Sequence, residues 1–236
     1  MPSPVTRPDL DRAARTGVPE VILAEGKEDE HLRAAVEAFA SKGGRVLVSR
    51  LEASRLGVLE GLPYPRTYHA LARILVVGEG GKPVATGGRV GILTGGTADA
   101  RVADEARIVL EELGCEVRIA YDVGVAGIHR LFGQLDWLPE MDVIIVAAGR
   151  EGALAAVVSG LTDRPVIGLP VSMGYGMGGR GEAALLGMLQ SCSPLAVVNI
   201  DAGFVAAAHA AKIANAIALA RRGVDRQVHS ISPGGV

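Results

Sequence analysis

Short continuous apolar runs recur at residues 90–93, 117–120, 143–147, 166–169 and 196–200, and each is followed by a helix-like stretch. A strand that is apolar on both sides has to be covered on both faces, and helices inserted between such strands force them to run parallel. The spacing therefore predicts an α/β fold: a doubly wound parallel sheet over residues 85–222, closed by an alanine-rich helix over 203–222. Ahead of it, strands at 20–24, 45–49 and 72–77 and helices at 27–41 and 51–59 predict a smaller α/β unit over residues 1–84. Prolines bracket residues 64–68, which read as a connector, and the turn-rich run Gly78-Glu79-Gly80-Gly81-Lys82-Pro83 marks the boundary between the units. The first dozen residues, with three prolines, read as an irregular arm, and residues 223–236 as a flexible tail.

Composition narrows the function. A net charge of -2 and 3% aromatic residues give neither a phosphate-backbone footprint nor a base-stacking platform, so a nucleic-acid partner is not expected. The longest apolar stretch, 205–220, is broken by His209, Lys212 and Asn215, which argues against a membrane span. Met1-Pro2-Ser3-Pro4 lacks the features of a signal peptide, and a cytoplasmic protein is expected. Cys115 and Cys192 are the two cysteines, too far apart in sequence for Cys-x-x-Cys chemistry, so neither a zinc site nor a disulfide framework is expected.

In an open parallel sheet, ligands bind beyond the carboxyl ends of the strands. Four post-strand loops are therefore candidates. Thr94-Gly95-Gly96-Thr97-Ala98-Asp99 opens a helix and suits a phosphate, its glycines letting backbone amides approach an anion; it also suits a plain tight turn. Asp99 is either a first-turn dipole partner or a ribose or proton-transfer group. Asp122-Val123-Gly124-Val125-Ala126-Gly127-Ile128-His129-Arg130 follows the second strand, and His129 beside Arg130 reads as a ligand contact or a packed histidine. Gly149-Arg150-Glu151-Gly152 puts a carboxylate between glycines at a strand end, which favours a site role for Glu151. Ser172-Met173-Gly174-Tyr175-Gly176-Met177-Gly178-Gly179 is glycine-rich enough to be either a loop ordered by a ligand or a plainly flexible one. Finally, Cys192 in Ser191-Cys192-Ser193-Pro194 is either a small packed residue or a nucleophile.

Taken together, the segments 122–131, Glu151-Gly152-Ala153-Leu154, Gly174-Tyr175-Gly176 and Met188-Leu189-Gln190-Ser191-Cys192 through Val198-Asn199-Ile200-Asp201 carry a resemblance. So do Gly17-Val18-Pro19-Glu20-Val21-Ile22 and Gly26-Lys27 in the first unit. The chain resembles the nickel-pincer-cofactor biosynthesis carboxylase/hydrolases, the pyridinium-3,5-biscarboxylic acid mononucleotide synthase family, whose C-terminal domain is flavodoxin-like and related to the aminoimidazole ribonucleotide carboxylases and mutases. It departs from that pattern at Gly95, Ala98, Arg150, Leu195 and Ala202.

The resemblance implies carboxylation of nicotinic acid adenine dinucleotide with carbon dioxide or bicarbonate, followed by hydrolysis to the biscarboxylated mononucleotide and AMP. On it Cys192 forms a covalent adduct and Glu151 accepts the ring proton, with His129 or Asp99 as partners. Phosphate and ring contacts would come from Thr94, Gly95, Gly96, Thr97, Asp122, Arg130, Gly152, Ser172, Gly174, Tyr175 and Ser193. It further implies magnesium, whose ligands the sequence does not name, no organic cofactor, and a homo-oligomer for which the mutase octamers are the precedent. A carboxyaminoimidazole ribonucleotide mutase and a non-catalytic nucleotide-binding regulator are the competing readings. One difficulty follows from chain order: Cys192 precedes a strand, which puts it at the amino ends, away from the loops above.

Overall fold

The structure is a computed structural model and describes residues 9, 11–42, 45–78, 83–174 and 176–223. Most of the expected arm and, beyond Gly223, all of the expected tail lie outside these residues. A short helix, α1 (Arg12–Thr16), stops at Gly17, whose left-handed φ of 74° suits a residue without a Cβ.

The first sheet has four strands in the order β1-β2-β4-β3: β1 (Val21–Leu23), β2 (Val46–Ser49), β3 (Arg66–His69) and β4 (Ile74–Val77). β1 and β2 are parallel, with the helix α2 (Asp29–Ala40) crossing between them, and β4 is antiparallel to both β2 and β3. The expected connector at 64–68 is thus corrected to an edge strand. Its Arg66 and Thr67 are exposed, so β3 lacks the apolar run that reveals a buried strand, and Pro63 and Pro65 are tolerated because they flank an edge. The expected helix at 51–59 is a 3-10 segment, Ala53–Leu59.

Strand alternation places this sheet between two cores. Val46, Val48, Leu75 and Val77 join α2 on one face, while Leu47, Ile74 and Val76 pack into the core of the second unit on the other. That second unit holds five parallel strands: β5 (Arg89–Thr94), β6 (Glu116–Ala120), β7 (Val143–Ala148), β8 (Val166–Pro170) and β9 (Ala196–Val197). Their order, β6-β5-β7-β8-β9, is the flavodoxin-like one. All six residues of β7 are buried, Val143, Ile145 and Ala147 toward one core and Ile144, Val146 and Ala148 toward the other. β9 is shorter than the expected 196–200: regular pairing ends at Val197, while Val198 N–H and Asp201 N–H still donate to the Gly168 and Pro170 carbonyls of β8 (3.1 and 2.9 Å).

Helices cover both faces. α3 (Ala100–Glu112) lies on one, α4 (Ile128–Phe132), α5 (Ala153–Ser159) and α6 (Glu182–Leu189) on the other, and α7 (Gly203–Arg221) packs beside α3. α7 is long and apolar enough to cross a membrane, but Ala206, Ala207, Ala210, Ala211, Ala214 and Ala218 are buried in the core. α3 is enclosed by both sheets, burying Asp104 and Glu105 along with its apolar residues. Ser49 Oγ donates to Glu105 (2.6 Å), and Arg45 clamps Glu112 with two bonds of 2.6 and 2.7 Å. Burial pushes the Glu105 carboxyl up, against the Ser49 hydrogen bond and the fields of Arg50 and Arg101.

Because one helix is core to both sheets, the two units should unfold together. Denaturation followed by Trp137 fluorescence, which reports the second unit, should superimpose on far-UV circular dichroism; separate transitions would contradict a shared core.

Candidate active site

Chains leaving β5 and β7 diverge, and a cavity of about 580 Å³ opens beyond the carboxyl ends of these strands. Gly95, Gly96, Ala98 and Asp99 form one side. Gly124, Val125, Ala126 and Arg130 form the second, residues 148–154 the third, and Met173 and Gly174 the rim.

Asp99 holds this arrangement. It is 5% exposed, its Oδ2 accepts the Gly96 N–H (2.8 Å) and its Oδ1 accepts the Gly149 N–H (3.0 Å), so one carboxylate bridges the loops after β5 and β7. Burial pushes its pKa up, the two amides oppose that, and Asp201 adds to it. With both oxygens engaged, Asp99 braces the two loops. The glycines follow from how closely the loops approach: a Cβ on Gly124 would lie 2.3 Å from the Gly95 carbonyl oxygen, and one on Gly149 2.8 Å from that of Met173.

The other candidates divide into those facing the cavity and those spent on the fold. Glu151 is exposed and lines the cavity; Gly152 beside it is left-handed (φ 69°), and the Glu151 carbonyl would lie 2.3 Å from a Cβ on Gly187, so α6 sits directly on this loop. Arg130 lines the cavity, ion-paired with Asp122, and Gly127 leaves room for its guanidinium. Thr94 is fully buried, and its Oγ1 accepts the Asp122 N–H (2.9 Å). Ser172 donates both N–H and O–H to Asp201 (2.9 and 2.5 Å). Thr97 and His129 are exposed but outside the cavity wall, and Tyr175 lies outside the described residues. Arg150, read from sequence as a departure from pattern, lines the cavity with a left-handed φ of 49°. The strand-end rule that singled out Glu151 applies equally to it.

Cys192 and Ser193 are elsewhere. Their loop joins α6 to the amino end of β9, where Ser159 Oγ at the end of α5 donates to the Pro194 carbonyl (2.6 Å). Cys192 is exposed and is not part of the cavity wall, so a single chain does not bring it to Glu151. Among the described residues no three His, Cys, Asp or Glu side chains gather as a metal cage. The Asp122 and Asp201 carboxylates are already bound to Arg130 and Ser172.

The two thiols should behave differently. Burial pushes Cys115 up to about 11, whereas Cys192 is exposed. Maleimide at pH 7 should therefore label one thiol, lost in Cys192→Ser, with Cys115 reacting only on unfolding or as pH approaches its raised pKa. Asp99→Ala should cost about 1–3 kcal/mol by urea denaturation, because two amides lose their acceptor.

Comparison with known proteins accords with this geometry. The profile of the AIR carboxylase family matches residues 89–232, and that of the LarB/PurE-like N-terminal domain matches residues 4–79. An uncharacterised protein of Methanocaldococcus jannaschii is 43% identical over 214 residues, covering 87% of this chain and 82% of its own. The N5-carboxyaminoimidazole ribonucleotide mutase of the same organism is 35% identical over 127 residues, 52% of this chain and 76% of its own. That of Pyrococcus horikoshii is 30% identical over 118 residues, 48% of this chain and 64% of its own. The chain belongs to the AIR carboxylase family, as a carboxylase/mutase-type member that carries a LarB/PurE-like N-terminal domain ahead of the AIR carboxylase domain.

Proposed function

We propose that this protein carboxylates the pyridinium ring of nicotinic acid adenine dinucleotide and hydrolyses its phosphoanhydride, giving pyridinium-3,5-biscarboxylic acid mononucleotide and AMP for nickel-pincer cofactor synthesis. The observation that carries the reading is the cavity itself: a wall of glycine backbone suited to phosphate, flanked by Arg130 and Arg150, with the Glu151 carboxylate exposed beside them. The pairing of the two matched domains supports it.

The chemistry asks for a thiol. A pyridinium ring is electrophilic and does not attack carbon dioxide. Addition of the Cys192 thiolate forms a C–S bond and leaves a dihydropyridine, whose enamine carbon is nucleophilic and forms the new C–C bond. Glu151 then takes the proton from that carbon, the C–S electrons return to sulfur, and the ring regains aromaticity as the thiolate leaves. Cysteine suits this role because the nucleophile must also depart. In the second step water attacks phosphorus and the P–O–P bridge breaks, with no change of oxidation state. Magnesium belongs to the proposal through the substrate's phosphates, since it binds with few protein ligands; no step here passes through it.

The separation of Cys192 from the cavity makes the site, on this reading, a shared one, in which a second copy presents Cys192 to the cavity of the first. The exposed Leu186 and Leu189 on α6, just before the cysteine loop, supply apolar surface for that contact.

Incubation with the dinucleotide, bicarbonate and magnesium should give AMP and a mononucleotide heavier by one carboxyl group, read by mass spectrometry; intact dinucleotide would overturn the reading. Cys192→Ser should abolish the product, and Glu151→Gln should slow it by about 10²–10⁴-fold. Mixing these two inactive variants should restore activity, because a mixed oligomer contains sites with both groups intact. Conversion of carboxyaminoimidazole ribonucleotide that survives Cys192→Ser would favour a mutase instead.

A further inference from the structure

Ser172, beside the rim residue Met173, is linked through Asp201 to groups of the first unit that take no part in the proposed chemistry. Arg50 follows β2 in the left-handed conformation (φ 54°), as Asp122, Arg150 and Asp201 do on the loops after β6, β7 and β9. Non-glycine residues in that region are uncommon and gather at ligand sites. The Arg50 guanidinium reaches out of its own unit: one nitrogen donates to the Asp201 carbonyl (3.1 Å), another to the Glu25 carboxylate (2.8 Å). Asp201 also faces Arg101, at 3.6 Å, and holds Ser172, the residue before Met173 and Gly174 of the rim.

Glu25 shows what this corner accepts. Its side chain is 60% exposed, so its pair with Arg50 adds little to stability. Its carboxyl is held below the usual range first by the Arg50 hydrogen bond and then by the fields of Arg50, Arg73 and Arg101. Arg50 bonds Glu25 directly, while Arg101, held toward Asp201, and Arg73, paired with Glu52, add to the positive field there. Arginine offers planar, bidentate geometry to carboxylate and phosphate alike, so the place Glu25 fills also fits a phosphate.

We propose that Arg50 and Arg101 form an anion subsite at the cavity rim, which takes the phosphate of the adenylate half of the dinucleotide and displaces Glu25 from Arg50. This rests on the reading of the cavity as the site for the nicotinate half. The first unit then contributes to specificity, distinguishing a dinucleotide from a mononucleotide.

Calorimetric titration of the full chain with AMP, with nicotinic acid mononucleotide and with the dinucleotide tests the subsite. Arg50→Ala and Arg101→Gln should each weaken AMP and the dinucleotide by about tenfold or more, leaving the mononucleotide unchanged, as expected for loss of a charge-assisted bond. Glu25→Gln should tighten AMP, a gain that a merely structural Arg50–Glu25 pair would not produce. AMP should still bind when the mononucleotide saturates the cavity, and thermal melts would show that each variant is folded. The proposal fails if AMP does not bind the wild-type chain, if Arg50→Ala and Arg101→Gln weaken mononucleotide and dinucleotide alike, or if Glu25→Gln loosens AMP. Failure of the carboxylation reading appears separately, as no carboxylated product while AMP affinity still follows Glu25 and Arg50.

Discussion

One buried carboxylate sets the shape of the cavity. Asp99 accepts an amide from the loop after β5 and another from the loop after β7, across the point where the strand order reverses. The two amide bonds hold the carboxylate in a poorly solvated setting but only partly oppose the cost of burying its charge, so its pKa stays raised. Neighbouring loops then approach closely as well, the loop after β6 at Gly124 against Gly95 and the loop after β8 at Met173 against Gly149, and glycine at 124 and 149 is the sequence consequence. Glycine main chain therefore forms part of the cavity wall, beside the side chains of Val125, Leu154 and Met173.

The same helix extends the constraint to the first unit. α3 begins one residue after Asp99, places Arg101 against Asp201, buries Glu105 under Ser49 and ends at Glu112 in the grip of Arg45. Cavity, rim and first sheet are thus indexed along a single rod of 13 residues. A displacement of either sheet would be felt at Asp99.

Much of this was legible in the sequence where burial is two-sided. The runs that became β5, β7 and β8 are apolar on both faces, so strand positions and the doubly wound arrangement followed from them. β3 was not legible, because Arg66-Thr67-Tyr68-His69 forms an edge whose exposed side chains give no apolar signal. In the site, Glu151, Arg130, Gly152 and Gly174 were found by their position after strands. Thr94, Asp122 and Ser172 share that position, yet their polar atoms are taken by the Asp122 amide, Arg130 and Asp201; sequence does not reveal which hydroxyl or carboxylate a backbone amide or arginine will claim. Arg150 was visible but read only as a departure from a pattern. Cys192 was located by motif, and chain order already placed it at the far end of the sheet.

The two-sided burial of α3 also limits how a ligand can enter. Units joined by a thin linker close on a ligand like jaws, but a helix packed into two sheets leaves no hinge between them. The loops that Asp99 ties together are set when the chain folds. Little ordering entropy then remains to be lost on binding. Substitutions along the hidden faces of α3, far from any ligand, should consequently register as changes in affinity.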